Sequence, residues 1–216
     1  MRTKTLLLTL ALAAASAASS MAQVYSVNAV GYVNLTIPSG FSIIANQLNH
    51  SPDNTVGNVF GNPPNDVTLY LFNNATSTYD IASYLGFLGA WDHPEKVVGP
   101  GKGIFIYNSG APFTQTFVGE VPQGTLSTPI PVGFNLVASQ VPQSGLLQSQ
   151  LGYVPSTSGA SDVVYRFNNA TSQYNVYTYI GFLGQWDTEP QPNVGEGYFI
   201  FRADAGYNWT RTFSVN

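Results

Sequence analysis

Past residue 22 the chain is written in short apolar runs separated by turn-forming clusters, with little helical periodicity. The runs VTLYLF at 67–72 and VVYRF at 163–167 are β-branched and aromatic, and each leads into Asn-Asn-Ala-Thr-Ser, a cluster that marks a turn. Both predict strands. GIFIY at 103–107 and GYFIF at 197–201 are apolar on both alternations, as a central strand covered on both faces would be. GFSIIA at 40–45 and GFNLVA at 133–138 predict a further strand after an Ile-Pro turn. Only NTVGNVF at 54–60 and SGLLQSQL at 144–151 look helical, each with a capping residue before one or two turns. The pattern predicts an all-β protein with one short helix per repeated half.

The halves are visible in the sequence itself. FNNATSTYDIASYLGFLGAW at 72–91 returns as FNNATSQYNVYTYIGFLGQW at 167–186. IPSGFSIIANQL at 37–48 pairs with IPVGFNLVASQV at 130–141, and VGPGKGIFIYN at 98–108 pairs with PNVGEGYFIFR at 192–202. The offsets stay between 93 and 96 residues, so one unit of about 95 residues is written twice in tandem. We place unit 1 at 23–123 and unit 2 at 124–216, each a β-sandwich or barrel-like fold. The Pro-containing connector VPQGTLSTPIP at 121–131 is short and semi-rigid, which favours side-by-side units.

Ahead of the units, Arg2 and Lys4 precede an apolar run from Leu6 to about Ala15 and small residues up to Ala22. This predicts a signal peptide at 1–22 and an exported product, extracellular, at the cell surface or periplasmic. The run is too short to span a bilayer, which needs about 20 apolar residues, and no transmembrane segment is expected in the mature chain. Without the signal, five basic side chains remain against eleven acidic ones, a formal charge of −6. Such a chain has no basic patch for phosphates, so nucleic acid is not expected as a partner. With no cysteine there is neither a disulfide framework nor thiol chemistry, and stability has to come from burial.

The order Gly-Phe-(Ser/Asn)-(Ile/Leu)-(Ile/Val), a Tyr/Phe strand, Asn-Asn-Ala-Thr-Ser-x-Tyr, Trp, then Gly-(Lys/Glu)-Gly-(Ile/Tyr)-Phe-Ile resembles a bacterial β-module of exported and cell-surface proteins. That module reads roughly GWNLIS, then Trp, then PGKGYWV. The two-unit arrangement behind a signal peptide resembles a group of uncharacterised exported proteins of Verrucomicrobia-like bacteria. The resemblance implies an architecture and a location and supplies no activity. Unit 2 has Val194-Gly195-Glu196-Gly197 where unit 1 has Pro100-Gly101-Lys102-Gly103, so it implies no charge-based role for Lys102.

Candidate chemistry is sparse. Gly99-Pro-Gly-Lys-Gly lacks the Ser/Thr of a phosphate loop and leads into a strand, which points to a tight turn. Asp92, His93 and Glu95 suggest an acid–base group, but unit 2 has Asp187-Thr-Glu189 without a histidine. His50 and His93 show no zinc-ligand spacing, and there is no G-x-S-x-G elbow. No catalytic set, metal site or cofactor is expected. The remaining candidate is aromatic: Tyr84 and Trp91 beside Asp92, and Tyr179 and Trp186 beside Asp187, form either a sugar-stacking platform or part of each core. Phe87 and Phe182 are expected in the core. The sequence therefore points to a non-enzymatic structural or interaction protein of the envelope or extracellular matrix, with a carbohydrate-binding protein as the alternative. Its partners would be a polysaccharide, another surface protein or itself.

Overall fold

The computed structural model describes residues 29–64 and 66–215, so the signal-peptide expectation lies outside the described residues. The chain is all-β, as expected, and forms two β-sandwich-like units. Unit 1 contains β1 (Val30–Ile37), β2 (Gly40–Ile44), α1 (Val56–Phe60), β3 (Val67–Asn73), β4 (Thr78–Leu85), β5 (Ala90–Trp91), β6 (Ile104–Asn108) and β7 (Phe113–Glu120). Unit 2 contains β8 (Gly124–Ile130), β9 (Gly133–Ala138), β10 (Val163–Asn168), β11 (Gln173–Ile180), β12 (Gln185–Trp186), β13 (Gly197–Arg202) and β14 (Tyr207–Phe213).

Each unit pairs a two-stranded antiparallel ribbon with a five-stranded sheet. The ribbons are β1-β7 and β8-β14; the sheets run β2-β6-β3-β4-β5 and β9-β13-β10-β11-β12, the same order twice. Period-2 alternation decides which face is buried. In β1, Val33, Leu35 and Ile37 turn inward while Tyr32, Asn34 and Thr36 face solvent. In β3 and β6, Val67, Leu69, Ile104 and Ile106 enter the core of unit 1, and Val164, Tyr198 and Ile200 do so in unit 2.

The helical expectation holds in unit 1 only. There Asp53 Oδ1 accepts from the backbone N–H and hydroxyl of Thr55 and from Asn58 Nδ2, and α1 buries Val56, Val59 and Phe60. In unit 2, Leu147–Leu151 forms consecutive turns instead. Its backbone bonds are mixed: Gln150 N donates to Leu146 O and Gly152 N to Gln148 O at helical spacing, while Leu151 N reaches Leu146 O and Tyr153 N reaches Leu147 O. The N–H groups of Leu146, Gln148 and Ser149, which a first turn leaves without a backbone acceptor, are taken by the Gln150 and Glu189 side chains.

The opposite faces of the two large sheets meet. Ile43, Leu136 and Phe199 form a third buried cluster with Phe72, Phe105, Tyr165 and Phe167 around it. The contacts are reciprocal. Phe72 touches Phe199 at 5.6 Å between ring centroids, and its counterpart Phe167 touches Phe105, the counterpart of Phe199, at 5.5 Å. Ile44 bridges to Glu196 while Val137 bridges to Lys102, and Ala45 N donates to Gly195 O while Ala138 N donates to Gly101 O. These contacts recur with the units exchanged, which is the signature of an approximate two-fold axis and an isologous interface within one chain. The seam is close: a Cβ on Gly197 would lie 2.6 Å from Ile44 O, and one on Gly103 would lie 2.9 Å from Val137 O.

Candidate functional site

The hairpin β4–β5 and its copy β11–β12 carry all six residues singled out from the sequence. Tyr84 faces Trp91 across the strand pair, and Tyr179 faces Trp186. Their rings turn inward. Trp91 is 8% exposed and Trp186 9%, and each belongs to the hydrophobic core of its unit together with its tyrosine. Trp91 Nε1 donates to Gly61 O at 2.8 Å and its ring lies 5.9 Å from Phe60; Trp186 Nε1 donates to Gln148 Oε1 at 2.9 Å. No open ring face is left for a sugar to stack on. Asp92 and Asp187 tie the hairpin base: Ser83 N donates to Asp92 Oδ1 and Thr178 N to Asp187 Oδ1, each at the same place in its unit.

The phenylalanines are the reverse of the expectation. Phe87 is 84% exposed and Phe182 81%, and the adjacent Leu88 and Leu183 are exposed as well. The reason is geometric. Gly-Phe-Leu-Gly connects β4 to a two-residue strand, so its central side chains project beyond the last paired residues, with no sheet beneath them. The turns are built alike: Leu88 N and Gly89 N both donate to Leu85 O, and Leu183 N and Gly184 N both donate to Ile180 O. Gly89 and Gly184 close them at φ +63° and +66°, a conformation that costs an L side chain strain. Single exposed apolar residues are ordinary on protein surfaces. Two identical Phe-Leu tips, each on a hydrogen-bonded turn, are a built feature.

A second feature lies along the seam. The Asn-Asn-Ala-Thr-Ser turn of each unit reaches the other unit: Asn74 Nδ2 donates to Phe134 O, and Asn169 Nδ2 donates to Ser42 Oγ. Beside each turn is a groove. The first, of about 430 Å³, lies among Asn73, Asn74, Lys102, Leu136 and Val137. The second, of about 440 Å³, lies among the counterparts Asn168, Asn169, Glu196, Ile43 and Ile44.

The titratable groups make local pairings. His93 Nδ1 sits 3.3 Å from Glu95 Oε1 at the surface. Among the described residues, no three His, Cys, Asp or Glu side chains gather as metal ligands. Asp162, fully buried in unit 2, accepts from Tyr153 OH, from Ser156 N and Oγ, from Arg202 and from Ala203 N, which satisfies both oxygens. Burial pushes the Tyr153 phenol far above its ordinary value, with the Asp162 charge acting in the same direction. Sequence reading missed this cluster because unit 1 has Val67 and Asn108 in its place.

No helix among the described residues is long and apolar enough to cross a membrane. No protein-family model, curated protein or solved structure matches this chain.

Proposed function

We propose that this is an exported, non-enzymatic structural or interaction protein of the cell envelope or extracellular matrix, which associates through its two Phe-Leu tips. The observation that carries the reading is the pairing of exposure with order: Phe87 and Phe182 project into solvent from turns with matching hydrogen bonds, while the tryptophans beside them are enclosed. Association by strand addition has less support. In the five-stranded sheets the outer strands β5 and β12 are two residues long, and the ends of β2 and β9 are bridged to the opposite unit. The resemblance to bacterial surface β-modules supports the location.

A second copy of this chain is the simplest complement to a Phe-Leu tip. A tip-to-tip contact covers four large apolar side chains, about 6–12 kcal/mol gross. Association opposes this with about 4–15 kcal/mol of lost freedom, so each contact is weak. Two tips per molecule allow such contacts to chain. Light scattering of the exported chain, residues 23–216, is expected to show mass rising with concentration. The variant Phe87→Ser/Leu88→Ser/Phe182→Ser/Leu183→Ser should remain monomeric; equal masses for parent and variant at every concentration would remove the tips from the proposal.

A further inference from the structure

The approximate two-fold makes the two seam grooves internal controls for one another: their walls correspond and their charges do not. Five cationic side chains lie between residues 29 and 215, namely Lys96, Lys102, Arg166, Arg202 and Arg211. Arg202 is bonded to Asp162, Arg166 to Glu196 at 2.6 and 2.8 Å, and Arg211 to Gln143 Oε1. Lys96 lies 3.6 Å from Asp80. The Lys102 ammonium alone among these side chains has no partner among the described residues. Both of these lysines line the first groove, and Asp80, the only acidic side chain there, stands beside Lys96. The first groove therefore holds one net positive charge in an acidic protein.

In the second groove Glu196 occupies the place of Lys102, and it is consumed locally. Besides Arg166 it accepts from Asn193 N and Nδ2, both at 3.0 Å. The hydrogen bonds that Arg166 donates to Glu196 hold its guanidinium above the ordinary range and outweigh the opposing effect of burial. The second groove is neutral, its Arg166 and Glu196 charges paired with each other.

The polar edges correspond, Asn168 Oδ1 accepting from Ala170 N and Asn169 Nδ2 donating to Ser42 Oγ in the second groove, so charge alone separates the two. Asn73 uses its Oδ1 on Ala75 N and Asn74 uses its Nδ2 on unit 2, which leaves Asn73 Nδ2 and Asn74 Oδ1 without a partner among the described residues. A donor and an acceptor from neighbouring amides suit hydroxyl groups, which both donate and accept. Leu136 and Val137 supply an apolar wall opposite. At about 430 Å³ the groove falls within the roughly 300–1,000 Å³ range of small-molecule sites.

We infer that the groove beside Lys102 binds a carboxylate-bearing sugar, with the carboxylate on the Lys102 ammonium and the hydroxyls on Asn73 and Asn74. The second groove does not bind it. This site is separate from the tips and does not depend on their role. The sugar could be free or part of an acidic polysaccharide, and the same experiment separates the two.

The test titrates the full exported chain with D-galacturonate and with D-galactose, read by amide NMR shifts, alongside electrophoresis through gels containing polygalacturonate. Galacturonate is expected to move the amides of Lys102, Asn73 and Asn74 and to leave Glu196 and Asn168 in place. Galactose should bind about tenfold more weakly, as should galacturonate to Lys102→Gln, each having lost one charge-assisted hydrogen bond. Lys102→Gln removes no contact of the fold, so its spectrum should otherwise match the parent. Shifts without retardation assign the groove to free acidic sugars; shifts with retardation that Lys102→Gln abolishes assign it to the polymer. Equal binding of the two sugars, shifts centred on Glu196, unaltered binding by Lys102→Gln, or no shift at Lys102 overturns the inference.

Discussion

Truncating Trp91 to alanine separates an enclosed indole from an exposed platform by its cost. The ring is 8% exposed, packs at an inclined angle 5.5 Å from Tyr84 and 5.9 Å from Phe60, and donates from Nε1 to Gly61 O. Removing a core Trp forfeits its transfer free energy and leaves a cavity, together about 3–5 kcal/mol. A natural domain holds about 5–15 kcal/mol in all, so the variant would retain a small margin. With a urea dependence of about 1–3 kcal/mol per M, the midpoint should fall by more than about 1 M. Trp186→Ala should behave alike, while Phe87→Ser, four residues from Trp91 in sequence, should stay within about 0.5 kcal/mol of the parent. Urea denaturation followed by circular dichroism measures all three. A Trp91→Ala variant as stable as the parent, or a Phe87→Ser variant destabilised by more than about 2 kcal/mol, would refute the inverted placement of these aromatics.

Other consequences follow from particular contacts. Arg202→Ala strands the buried Asp162 carboxylate and should cost about 3–5 kcal/mol in the same denaturation assay; a loss below about 1 kcal/mol would mean that Tyr153, Ser156 and Ala203 suffice for it. Gly197→Ala places a Cβ 2.6 Å from Ile44 O and 3.0 Å from Gly103 Cα, so the seam must open at a cost of about 1–3 kcal/mol, seen as a lower calorimetric midpoint. The Thr55 hydroxyl, then the Asn58 side chain and the Thr55 N–H, hold the exposed Asp53 carboxyl below the usual carboxylate range. Its contribution to α1 is therefore present above about pH 4 and lost as the pH falls through its depressed folded value; a carboxyl NMR titration giving an ordinary Asp value would contradict this.

Much of the fold was legible because its signals are local. The strands β2, β3 and β6 and their copies stand where β-branched and aromatic runs meet Gly or Asn turns, and the duplicated order of elements follows from the duplicated text. The alternation of Val33, Leu35 and Ile37 marks β1 in the same local way. The helix expected at 144–151 is replaced by turns because the N–H groups of Leu151 and Tyr153 reach back five and six residues, to Leu146 O and Leu147 O, past the helical partner. The site was less legible. Composition cannot distinguish Trp91 from Phe87, since both are aromatic and both recur; only the length of β5 decides which lies over the sheet and which beyond it. The doubly apolar runs at 103–107 and 197–201 did announce a second covered face. What covers it, the other copy of the unit, depends on reciprocal contacts such as Phe72 with Phe199 that no single run encodes.

The central claim is that each molecule carries two equivalent sticky points. Sedimentation velocity across a concentration series, on the parent, on Phe87→Ser/Leu88→Ser, on Phe182→Ser/Leu183→Ser and on the variant combining all four changes, counts them directly. The account predicts open-ended association of the parent, dimers and nothing larger from either one-tip variant, and monomer from the combined variant. A parent that sediments as a single monomer at every concentration, or one-tip variants that assemble as far as the parent does, would contradict it.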